Sequence, residues 1–237
     1  MSILSSFKKR STLDAAIKQV GQARKCEDLA RAEQLYRGAY QGFASVIADN
    51  LMFSEALYHW GFALLHEAKT RQALEAIEIY EDAISKFSFC LLTSPNYLGA
   101  AIDGGVAFME LARISPEANR MELYKLAEDF FDKANKIQKG SAAYNVACIQ
   151  ALRGNAEACH ESLQQAREYG SLPDEANILA DVDLENVKQA EWFKEFIEAL
   201  RVQPEPVREK IQATDIDGEP KFKLKKSEDF DYYAKSK

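Results

Sequence analysis

Three stations along the chain carry the same stencil of a small residue, an aromatic four positions on and a small residue three further. They are Ala39–Phe43–Val46, Ala83–Phe87–Cys90 and Ala127–Phe131–Ala134, each 44 residues from the next. Gly61 and Gly105 are also 44 apart. Offsets of 0, 4 and 7 fall on one face of an α-helix, so every station predicts a helix with one close-packed face. A period of this length means a supersecondary unit that cannot bury its apolar face alone and must stack on its neighbours. The chain is therefore expected to be a helical solenoid.

Composition agrees. Only 11 Gly and 6 Pro in 237 residues leave little punctuation for many short strands. Proline at Pro95 ends the helix that carries the second station, because it lacks an N–H and clashes with the preceding turn. Each glycine lets a facing helix approach, and the expected partners are Ala83 for Gly61 and Ala127 for Gly105. The aromatic one turn on fills the gap.

The pattern resembles the tetratricopeptide repeat, a helix–turn–helix unit whose second helix carries small, aromatic, small and proline. Gly61, Ala83, Phe87, Cys90 and Pro95 match it in the second repeat. Gly105, Ala127, Phe131 and Ala134 match it in the third, where Lys139 replaces the proline. A fourth unit of ordinary length runs through Tyr144, Asn145, Val146, Ala147, Gly154, Cys159, Leu163 and Ala166. The second and third units depart from the family, since glycine to alanine spans 22 residues rather than the usual 12. Ten more residues add about 2.8 helical turns, so longer helices are expected. Lengthened repeats of this kind resemble those of plant-type mitochondrial import receptors, a similarity of architecture from which no function is carried. Turns are placed at "EAKTRQ", capped by Thr70, and at "ISPEA", capped by Ser115 with Pro116 as the first helical residue.

The expected fold is all-α, a right-handed superhelix of about four helix pairs with a capping helix and a flexible tail. Its segments are an N-terminal stretch (1–10), helical repeats (11–170), a capping element (171–200) and a tail (201–237). The capping element resembles the one that closes some bacterial tetratricopeptide groups, with Asp181, Asp183 and Leu184 before a last helix. Trp192, Phe193, Phe196, Ile197 and Leu200 then cover the open end of the stack. The two aspartates are expected to cap helices, since calcium-loop spacing is missing. The tail carries eight charges of each sign from Glu205 to Lys237. Its stretch "KFKLKKSEDFDYY" alternates apolar and basic residues and is able to occupy a partner's groove, or this chain's own.

Chemistry has few candidates. Glu55, His59 and His66 share a helix face, but no metal-binding motif accompanies them. Cys159 holds a small-residue station and is expected to be buried and inert. Neither a phosphate loop nor a nucleophile elbow is present, so no catalysis, cofactor or metal is expected. The net charge of −7 argues against nucleic acid as a partner. The four cysteines lack framework spacing, and no secretory pattern opens the chain, so the expected location is cytoplasmic. Ile3, Leu4 and Phe7 beside Lys8, Lys9 and Arg10 offer at most weak peripheral membrane contact.

Function is therefore expected in a surface. The resemblance implies that the first helix of each repeat lines a concave groove. Here the lining residues are Tyr58, Phe62 and Leu65, then Ile102, Val106 and Met109, then Tyr144 and Cys148. A groove this apolar suits a hydrophobic or amphipathic protein segment. The chain reads as a non-enzymatic interaction module: an adaptor, assembly factor or chaperone-like protein. The alternative is a scaffold that self-associates into homo-oligomers through its tail or the open end of its stack.

Overall fold

The computed structural model describes residues 3–48 and 52–202. Among them are ten α-helices, one 3-10 turn and no strand. The chain divides into two compact units, Met1–Lys139 and Gly140–Lys237.

The first unit holds three antiparallel helix pairs. These are α1 (Ile3–Ala23) with α2 (Leu29–Ala48), α3 (Phe53–Ala68) with α4 (Ala73–Thr93), and α5 (Leu98–Ile114) with α6 (Glu117–Ile137). Each pair also packs on the next, α2 on α3 and α4 on α5. The helix α1 crosses the boundary drawn at residue 10. All nine station residues, from Ala39 to Ala134, have no exposed surface. The lengthening is real: α4 and α6 run 21 residues each, against 13 for the second helix of the fourth pair.

The glycines meet a different partner from the one expected. A Cβ on Gly61 would lie 2.8 Å from the Phe87 ring, and one on Gly105 would lie 2.7 Å from two carbons of the Phe131 ring. Each glycine therefore seats the aromatic of its own repeat, whose ring comes nearer to it than the alanine station does. At the first pair Gly42 plays the close-approach part, where a Cβ would come within 2.9 Å of Ala16 Cβ.

Two expected caps also move. The N-cap of α4 is Gln72, while the Thr70 hydroxyl donates to the Glu67 carbonyl at 2.8 Å and closes α3. Ser115 likewise closes α5, donating to the Leu111 carbonyl at 2.7 Å, and Pro116 is the N-cap of α6. In both turns the hydroxyl satisfies a helix's last carbonyls rather than the next helix's first N–H groups.

The second unit holds the fourth pair, α7 (Ala143–Leu152) and α8 (Ala156–Glu168). It continues through α9 (Glu175–Ala180), the 3-10 turn (Val182–Leu184) and α10 (Glu191–Val202). Gly154 adopts φ of +78° in the turn between α7 and α8, a left-handed conformation that glycine enters without steric cost. Helix α10 buries Phe193, Phe196 and Ile197. Its Trp192 stacks on the His160 ring of α8 at 4.6 Å, and the Arg167 guanidinium donates to the Ala199 carbonyl at 3.1 Å. The stretch "KFKLKKSEDFDYY" and the rest of 203–237 lie outside the described residues, as do the side chains of Ile3, Leu4 and Phe7.

Candidate functional site

In the first unit the candidate residues stand on α3 and α5, the first helices of two successive pairs. Tyr58, Leu65, Val106 and Met109 are buried, while Phe62 and Ile102 are half-buried and remain accessible. Burial of Tyr58 has a clear cause. Its ring lies 5.0 Å from Tyr97 and 6.2 Å from Phe87, and covers Gly99, where a Cβ would come within 2.9 Å. Its hydroxyl donates to Asp103 at 3.0 Å. Tyr58 thus ties α3 to α5 through ring and hydroxyl together.

Phe62 sits in a polar frame that the apolar pattern does not reveal. The Arg24 guanidinium at the end of α1 lies 5.0 Å over its ring, a cation–π contact, and His66 stands edge-on at 4.4 Å. On one side of Phe62, Arg10 of α1 reaches both Glu55 oxygens at 2.9 Å. On the other, Lys69 bridges to Glu110 of α5 at 2.9 Å, and Arg113 joins the same carboxylate at 2.7 Å. Burial alone would raise the Glu110 pKa, but Arg113 and Lys69 outweigh it and hold the carboxyl below its usual value. The imidazole of His59 is pushed down to about 4 by burial first and then by Arg10, against the opposing pull of Asp14. His66 is lowered well below its usual value for the same reasons, burial, Arg24 and Lys69. Both imidazoles are therefore neutral at neutral pH.

In the second unit Tyr144 and Cys148 are buried as well. The Tyr144 hydroxyl donates to Asp181 Oδ2 at 2.7 Å, and the Cys148 thiol lies 3.7 Å from the same atom. Asp181 Oδ1 accepts from the Asp183 N–H at 3.0 Å and caps the 3-10 turn. Polar atoms of Cys148, Asp181 and Asp183 fall within 4.8 Å of one another. Donors from the protein already occupy both Asp181 oxygens, so the cluster serves as a cap that fixes the turn to α7. Burial, then the nearby Cys148 and Asp181, drives the Tyr144 pKa well above its usual value, so the phenol stays a donor. Cys159, pushed up to about 12 by burial, is an inert thiol.

This architecture, successive helix pairs keyed by small residues and rings, defines an all-helical protein of the repeat type. The chain belongs to the family described as "Plant specific mitochondrial import receptor subunit TOM20", which matches residues 27–190. Among curated proteins, "Mitochondrial import receptor subunit TOM20-1" of Arabidopsis thaliana is 31% identical over 99 residues, 41% of this chain and 50% of that protein. The chain thus spans about half the length of this relative. No solved structure matches. The family is one of protein-binding receptors, which agrees with a non-enzymatic interaction role. The expected free cytoplasmic location is overturned, because the family is one of mitochondrial import receptor subunits. No described helix is long and apolar enough to cross a membrane.

Proposed function

We infer that this chain is a receptor at the mitochondrial outer membrane that takes apolar or amphipathic targeting segments of imported proteins. Family membership over residues 27–190 carries the reading, since that span contains the whole of α3 and α5. The accessible Phe62 and Ile102 are the anchors, and the ion pairs around them orient a segment whose polar side faces outward. The other proposed lining residues of the first unit, Tyr58, Leu65, Val106 and Met109, are interior and support α3 and α5 from within, and Tyr144 and Cys148 are interior to the second unit. The repeats act in the tetratricopeptide manner, with first helices presenting the groove and second helices backing it. Interfaces concentrate their energy in a few buried anchors, so truncating one costs about 2 kcal/mol or more.

The test is fluorescence anisotropy with a labelled N-terminal targeting peptide of a mitochondrial matrix protein, and a scrambled peptide as control. Phe62→Ala combined with Ile102→Ser is expected to weaken binding about tenfold or more, with helicity by circular dichroism retained. Unchanged binding by the double variant rules out this groove.

A further inference from the structure

The outer face of α2 is polar in an unusual way. Arg31, Gln34, Gly38 and Gln41 follow one another at offsets of 0, 3, 7 and 10, so they form one stripe along the helix. With Arg37 beside them and Gln19 of α1 opposite, they line an open cleft of about 500 Å3, to which the half-buried Leu35 adds an apolar patch. A Cβ on Gly38 would come within 3.0 Å of Gln19 Nε2, so the missing side chain lets that amide lie against α2. The 44-residue register supplies an internal control. The same stripe reads Glu75, Glu78, Asp82 and Ser85 on α4, and Asn119, Glu122, Leu126 and Asp129 on α6. Of these three second helices, only α2 has a stripe free of carboxylates.

The polar groups of the cleft are open to a ligand. Among the described residues, no hydrogen bond or ion pair engages the side chains of Gln19, Arg31, Gln34 or Gln41. Nearby acids are already occupied. Asp28 accepts from the N–H groups of Ala30 and Arg31 at 3.0 and 3.2 Å and so caps α2. Glu33 holds Arg37 at 2.7 Å and is approached by Arg71 at 3.8 Å. Arg37 nevertheless keeps 70% of its side chain exposed, and a guanidinium carries five N–H donors, so it has capacity for a second acceptor. The cleft is a positive, donor-rich strip on a chain whose net charge is −7.

We propose that this cleft is a docking site for an extended acidic segment of a partner protein. From Arg31 to Gln41 the stripe runs about 15 Å, the length of four to five residues of extended chain. One carboxylate of the segment pairs with the Arg31 fork, and a second meets Arg37. The amides of Gln34 and Gln41 each offer donors and an acceptor, which match the N–H and C=O groups of an extended main chain. Charge complementarity selects this occupant, since a basic segment is repelled by Arg31 and a neutral one leaves it uncompensated. The overall charge of −7 opposes a long polyanion such as nucleic acid, whereas a short segment feels chiefly the charges within a Debye length of about 8–10 Å. The cleft uses neither Phe62 nor Ile102 and does not rest on the import-receptor reading.

The experiment uses the full chain and a short labelled peptide in which aspartate alternates with threonine. The same peptide with asparagine for aspartate is the control. Binding is expected for the aspartate peptide, weakening as salt is raised, and about tenfold weaker or worse for the control. Arg31→Glu with Gln34→Glu gives α2 the residues that α4 has at the same register, and it is expected to weaken binding about tenfold or more. Both side chains are exposed, and unchanged circular dichroism confirms the fold. Phe62→Ala with Ile102→Ser leaves this binding within about twofold. Absence of binding, equal binding of both peptides, or full affinity in the α2 variant overturns the proposal. Loss of binding only in the Phe62–Ile102 variant assigns the peptide to the groove and overturns it too. Inorganic phosphate that displaces the probe as well as the unlabelled peptide does, at equal concentration and constant ionic strength, reduces the cleft to a simple anion site and also overturns it. A peptide of residues 227–233 that displaces the probe more strongly than the unlabelled probe itself makes the chain's own tail the occupant, and a partner segment is then ruled out.

Discussion

Replacing Gly105 by alanine adds one methyl group at the most confined point of the third repeat. That Cβ would sit 2.7 Å from Phe131 Cδ1 and Cζ, whereas carbon atoms pack at roughly 3.5–4.0 Å. The ring or helix α5 must therefore shift by about 1 Å. No room exists for that, since Phe131, Ala127 and Ala134 are all fully buried. Overpacking of this kind costs about 1–3 kcal/mol, and the better helix propensity of alanine returns about 1 kcal/mol of it. A net loss of up to about 2 kcal/mol lowers the melting temperature of a chain this size by up to about 8 °C. The assay is urea unfolding followed by circular dichroism at 222 nm. Gly21 in α1 is the control, because a Cβ there meets nothing within 4 Å. Gly21→Ala is expected to stabilise by about 0.4–1 kcal/mol, the opposite sign. Combining Gly105→Ala with Phe131→Leu should cost less than the two changes summed, by about 1 kcal/mol, since the smaller side chain removes the clash. Equal stabilisation by both glycine substitutions would refute the glycine–ring pairing.

Other outcomes follow from the same structure. The His59 imidazole is held at about 4 in the folded chain and titrates near 6.5 when unfolded. The unfolded state therefore binds more protons between these values, and stability falls as pH drops through that window, by up to about 2–3 kcal/mol. Urea unfolding at pH 7.5, 6.0 and 5.0 measures the decline, and His59→Gln should make it shallower, leaving the part due to His66; a slope unchanged by that variant counts against a neutral buried imidazole at position 59. Phe193, 1% exposed in α10, should cost about 3–5 kcal/mol on truncation to alanine. Solvent-exposed Leu179 should cost less than about 0.5 kcal/mol. Equal losses at the two positions would mean that α10 does not cover the second unit's core.

Much of the fold was legible in the sequence because helical periodicity is a local property. The 0, 4, 7 offsets at Ala83–Phe87–Cys90 say which residues share a face, whatever that face packs against. Spacing of 22 rather than 12 residues likewise announced long helices, and α4 and α6 have them. The all-helical class, the order of helix pairs and the burial of every station needed nothing more. The receptor family was visible only as a likeness of architecture, and organelle location was read wrongly, since neither is written in packing periodicity.

Tertiary structure alone decided how the helices slide and cross against one another. The repeat stencil placed Ala127 opposite Gly105, yet the packing of α5 on α6 brings the Phe131 ring onto that glycine. Helix packing likewise sinks Tyr58 against Gly99 and leaves Phe62 and Ile102 accessible, although all three look alike in an apolar pattern. Arg10, Arg24, Lys69 and Glu110 entered the site without any motif, because pairs such as Arg10–Glu55 join residues 45 positions apart on different helices. Sequence period determines the faces; the mutual placement of faces is set by the side-chain volumes that two helices must share, and these meet only in the folded chain.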